Sequence, residues 1–156
     1  MTEGPSPNTG QNGPFLPRRM GLKSLIRTLV EEHATMKEGI SEARRAAEKR
    51  DFEALARILG GLDRLFRQHI VDEESTILRL LIGKLGAKGA EEEIRVFQQH
   101  RPIYQLMQNI SKFASMSAAE LQASHGELRV LFEEHALAEE KFVFPKAESL
   151  SVTQGR

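Results

Sequence analysis

QHIVDEES, residues 68–75, places a histidine and a glutamate four positions apart inside a run of apolar residues that repeats by threes and fours. The run reads Leu55, Leu59, Leu62, Phe66, His69, Glu73, Thr76 and Leu80, which is the spacing of the core-facing stripe of a helix. Asp51 stands where the N-cap of that helix belongs. His69 and Glu73 therefore point inward. An unpaired ionised carboxylate in an apolar interior costs several kcal/mol at least, on the order of the whole stability of a domain. The fold has to provide these two side chains with a partner.

The arrangement returns in EEHALAEEKFVFP, residues 133–145. Here the stripe is Leu121, His125, Leu128, Phe132, His135, Glu139 and Phe142, opened by the capping box Ser117–Glu120 and closed by Pro145. Two further stripes carry one histidine each at the centre. The first is Leu22, Ile26, Leu29, His33, Met36, Ile40, Ala43 and Ala47; the third is Phe97, His100, Tyr104, Met107, Ser111 and Ala114. Gly83, Gly86 and Gly89 separate the second helix from the third, and Pro102 predicts a kink beside His100. Gly60 and Gly61 inside the second helix predict a tight contact or a bend. Four helices with short connections make an all-α, antiparallel up-and-down four-helix bundle.

Counting from the turns puts the polar residues at one depth. His33 and His69 each lie 18 residues from Asp51, and His69 and His100 lie 17 and 14 residues from Gly86. Counted from Ser117, His100 and His135 lie 17 and 18 residues away. A lone inward histidine is more often a satisfied core residue than a ligand, but four at one height with two acids are hard to satisfy mutually. His33, His69, Glu73, His100, His135 and Glu139 are thus the predicted metal ligands, since residues at i and i+4 share a helix face within about 6 Å. Mixed imidazole and carboxylate ligation suits iron or manganese, with zinc possible. Glu74 and Glu140 lie about 100° round their helices and read as solvent-facing. His125 is ten residues from His135, roughly 15 Å along the helix, and reads as a core residue. Tyr104 has three readings: an iron ligand, a hydrogen-bonding partner or sole acid group for a bound ligand, or a core residue with its hydroxyl paired.

The pattern of His33, His69 to Glu73, His100, and His135 to Glu139 resembles the hemerythrin-like, or HHE cation-binding, family over about residues 20 to 148. The resemblance implies a non-haem di-iron centre with a bridging oxo or hydroxo group. In oxygen-carrying hemerythrins a second histidine and an aspartate occupy the places held here by Tyr104 and Glu139. The pattern is closer to the branch with bacterial iron-centre repair proteins and mycobacterial hemerythrin-like proteins, linked to nitric oxide and peroxide handling. The implied function is binding or reduction of O2, NO or peroxide, or else a non-catalytic oxygen, redox or iron sensor, or an iron store, acting through a partner.

The rest of the sequence is consistent with this. With 156 residues the chain suits one domain, and its 22 basic and 22 acidic residues leave no net field to attract nucleic acid or an anionic membrane. Without cysteine, thiolate metal sites, disulfides and thiol nucleophiles are excluded. No apolar run reaches the roughly 20 residues of a membrane span and no secretory signal is evident, so a cytoplasmic location is expected. Residues 1–19, rich in proline and glycine, read as a disordered leader, 20–148 as the domain, and 149–156 as a flexible tail.

Overall fold

The computed structural model describes residues 15–154; residues 1–14 of the expected leader and the last two of the tail lie outside them. Four helical rods account for nearly all of it, with no strand among the described residues. The first rod is α1 (Leu22–Glu48). The second joins α2 (Phe52–Asp72), a π-helical segment (Glu73–Leu78) and α3 (Arg79–Gly89). The third is α4 (Glu91–Gln98) followed by α5 (His100–Ile110). The fourth joins α6 (Ala118–Ala138), a second π-helical segment (Glu139–Val143) and α7 (Phe144–Gln154). α1 packs on α2 and α6, and α5 packs on α6 and α2, giving the antiparallel four-helix bundle.

The caps follow from the sequence. Asp51 accepts a hydrogen bond from the Ala54 amide at 3.1 Å. Ser117 and Glu120 exchange the two bonds of a capping box, at 3.0 and 2.8 Å. The third rod breaks at Gln99, three residues before Pro102, because proline has no N–H to give the Gln98 carbonyl.

Several boundaries and facings differ from the sequence reading. The second rod runs unbroken through Gly83 and turns at Gly86, whose φ of 76° is open to glycine. Gly60 and Gly61 show no close packing: nothing lies within 4 Å of a Cβ placed at Gly61. The close approach is instead at Gly39 on α1, where such a Cβ would meet Leu62 Cδ2 at 2.7 Å. α5 ends at Ile110, so Ser111 and Ala114 are exposed, and Ile103 and Ile110 take the inward places.

The π-helical segments move the other stripes. Each inserts one residue into the helical phase, so that Ile77 and Leu81 are buried rather than Thr76 and Leu80. Val143 and Ala147 are likewise buried while Phe142 is 64% exposed. The second segment also carries the fourth rod past Pro145, so residues 149–154 of the expected tail are helical. The core divides into two apolar clusters. One includes Met36, Leu62, Phe66, Ile103 and Phe132, the other Leu29, Ile77, Phe97, Val143 and Phe144. The six candidate ligands form the layer between them.

Candidate metal centre

On each rod the polar layer is bracketed by one residue from each apolar cluster. α1 reads Leu29, His33, Met36, and the second rod reads Phe66, His69, Glu73, Ile77. The brackets cover the layer on both sides along the bundle, and all six residues are at most 4% exposed.

They form two groups, each able to hold a metal ion: His33, His69, Glu73 and Glu139, and then Glu73, His100, His135 and Glu139. Both glutamates belong to both groups, one oxygen to each. Glu73 Oε2 lies 2.8 Å from His69 Nε2, and its Oε1 lies 2.8 Å from His100 Nε2. Glu139 Oε1 lies 2.9 Å from His33 Nε2, and its Oε2 lies 2.9 Å from His135 Nε2. The two i,i+4 pairs approach this closely without hydrogen-bond alignment, so His69 Nε2, Glu73 Oε2, His135 Nε2 and Glu139 Oε2 are buried and unsatisfied by protein. Native interiors rarely tolerate such atoms. A cation in each group would satisfy its own unpaired nitrogen and oxygen, so the donor set fits metal.

The outer ring nitrogens are held as well. His33 Nδ1 donates to Glu140 (2.7 Å), His69 Nδ1 to Glu32 (2.9 Å), His100 Nδ1 to Glu74 (3.0 Å) and His135 Nδ1 to Gln99 (2.9 Å). These oxygens only accept, so each Nδ1 keeps its proton and Nε2 is the atom presented to the centre. The sequence reading of Glu74 and Glu140 as solvent-facing agrees with their exposure, 46% and 37% of the side chain, but leaves out that each carboxylate turns onto a histidine of the neighbouring rod. Glu32 and Gln99, which immediately precede the single histidines, were not singled out at all.

The acids shape the titration of the rings. Burial alone lowers His69 and His100, yet Glu73 and Glu139, aided by Glu32 or Glu74, outweigh it and hold both well above the ordinary 6.5. Burial likewise raises Glu139, but His100, His135 and His33 hold it well below 4.5. Protons and cations thus compete for the same nitrogens.

Residues 15–19 of the predicted leader are bound to the bundle. The Arg18 guanidinium bridges Asp72 (2.6 Å) and Glu32 (2.8 Å), and the Leu16 carbonyl accepts from Gln68 at 2.8 Å. Arg18 thereby supports the acid that holds His69. Tyr104 accepts a hydrogen bond from Arg67 Nη2 at 2.7 Å and stacks on Phe66, which contacts the His100 ring edge-on. His125 donates from Nε2 to the Ile40 carbonyl at 2.6 Å, away from the polar layer.

The layer has an approximate two-fold repeat. Phe66, His69, Glu73 and Glu74 correspond to Phe132, His135, Glu139 and Glu140, and Glu32–His33 to Gln99–His100. Phe132 meets His33 edge-on at 6.0 Å, as Phe66 meets His100 at 6.0 Å. The repeated string F-x-x-H-x-x-x-E-E could have marked Glu74 and Glu140 as site residues from sequence alone. The chain is thus a helical bundle with a buried His and Glu cluster able to bind metal, an arrangement compatible with the hemerythrin-like resemblance. No protein-family model, curated protein or solved structure matches the chain.

Proposed function

We propose that the chain holds two iron ions, with manganese or zinc as the alternatives, joined by Glu73 and Glu139 and an oxo or hydroxo bridge, and that it binds or reduces O2, NO or peroxide. The observation that carries this reading is the division of each carboxylate, one oxygen to each histidine pair. Two dications would bring four positive charges against two from the inner acids and three from Glu32, Glu74 and Glu140. Bound iron would supply one-electron redox chemistry and coordination positions beyond the four donors of each half.

The chain's own residues limit what reaches that layer. Met36, Phe66, Ile103, Leu128 and Phe132 line an apolar void of about 10 Å³, about the space of one water-sized probe, so that side of the layer is closely packed. Tyr104 enters this reading as the nearest phenol, one turn after His100, with Arg67 on its oxygen.

Elemental analysis of protein purified without added metal tests the proposal. About two metal ions per chain, mainly iron, are expected; metal-free or mononuclear protein overturns it. Mixing the reduced protein with O2, NO or peroxide and following the visible spectrum then separates turnover from simple binding. A second reading, a sensor or iron store without turnover, draws support from the link between Arg18, Glu32 and His69. It predicts that metal occupancy changes hydrogen exchange at residues 15–21 while no reactant is consumed.

A further inference from the structure

His125 is the one histidine that the metal centre does not use, and it borders a cavity of about 400 Å³ between α1 and α6. The cavity lies toward the Ser117 end of α6, about 15 Å along the helix from His135. Its size is that of a small-molecule cleft. Arg44, Arg50 and Arg129 line it, with Glu48 as the single acid, and Leu121, Ala47 and Gly126 supply an apolar wall. Arg44 and Arg129 are paired only within their own helices, to Glu48 at 3.0 Å and Glu133 at 3.6 Å. Both remain more than 40% exposed, so these pairs neutralise them weakly. Arg50 lies over the Phe52 ring, 4.7 Å from its centre.

The arginines set the kind of occupant, and His125 supplies a neutral ring beside them. Three guanidinium groups against one carboxylate favour an oxyanion, which arginine binds in a two-pronged fashion. His125 is 6% exposed and spends its Nε2 proton on the Ile40 carbonyl, so its other nitrogen can only accept. Burial first, then the charges of Arg44 and Arg129, push this ring below its ordinary 6.5, which keeps it neutral beside the arginines.

We infer that this cavity is a binding site for a small organic oxyanion, a phosphate ester or carboxylate with an apolar body, independent of the metal centre. The oxyanion meets Arg44 and Arg129 and the body lies along Leu121. Inorganic phosphate, phenyl phosphate and benzoate are suitable probes, titrated against sodium chloride of matched ionic strength. The His125 ring resonances and calorimetry give the readout. Saturable shifts are expected with phenyl phosphate or benzoate, whichever binds tighter naming the oxyanion. Inorganic phosphate should bind about tenfold more weakly for want of the apolar contact. Arg44→Gln and Arg129→Gln should each weaken binding about tenfold with metal content unchanged. Shifts that follow ionic strength without saturating, or binding undiminished when Arg44→Gln and Arg129→Gln are combined in one chain, overturn the inference. Neither result depends on which metal the centre holds.

Discussion

Glu73 and Glu139 are each shared by both halves of the polar layer, whereas each histidine serves one half. Replacing either acid should therefore deplete both metal positions. Glu139→Ala is expected to lower bound metal to well under one ion per chain, while His33→Ala chiefly empties its own half; elemental analysis distinguishes the two patterns. Gln99→Ala removes only the acceptor behind His135 and should weaken metal binding about 10- to 100-fold in a competition titration with a chelator. The six inner residues were legible because i,i+4 spacing and depth from the turns are properties of single helices. Glu32, Glu74, Gln99 and Glu140 were not, because a residue 100° off the stripe faces water on an isolated helix. In a bundle of four rods the same direction faces the adjacent rod.

At the scale of the helices, the two π-helical segments begin at the two shared acids, Glu73 and Glu139. Periodicity counted at 3.6 residues per turn passes through both without registering the extra residue. That is why Thr76, Leu80 and Phe142 were placed inward and Ile77, Leu81 and Val143 were missed. The four-rod architecture survived this error because it depends on caps and turns, which Asp51, Gly86 and Ser117 state openly. Deleting Ser75 should restore a regular helix and keep Ile77 and Leu81 on the core face. Circular dichroism is then expected to show unchanged helix content, and metal affinity should fall because the setting of Glu73 is lost. Ser117→Ala removes half of the capping box and should cost about 1 kcal/mol in chemical denaturation with metal content intact.

For the molecule as a whole, stability and metal occupancy are expected to be linked through pH. In the metal-free protein the raised His69 and His100 stabilise the fold fully below 6.5, and that contribution is lost as pH climbs through their folded values. The depressed Glu139 contributes above 4.5 and is lost as pH drops through its folded value. Metal-free protein should thus be most stable between those limits and weaken toward alkaline pH. Metal needs the same nitrogens deprotonated, so loaded protein should gain over metal-free protein as pH rises. Calorimetric melting with and without a chelator from about pH 5 to 9 checks this; parallel curves would contradict it. The matched halves of the polar layer have a consequence of another kind. Residues 22–89 and 91–154 each bring one Phe-x-x-His-x-x-x-Glu-Glu string, and rod 1 plays in the first half the role that rod 3 plays in the second. Because Gln99 stands where the repeat would put a second Glu32, the half with His100 and His135 has one outer carboxylate against two in the other, and a cation held there would be the less compensated of the pair.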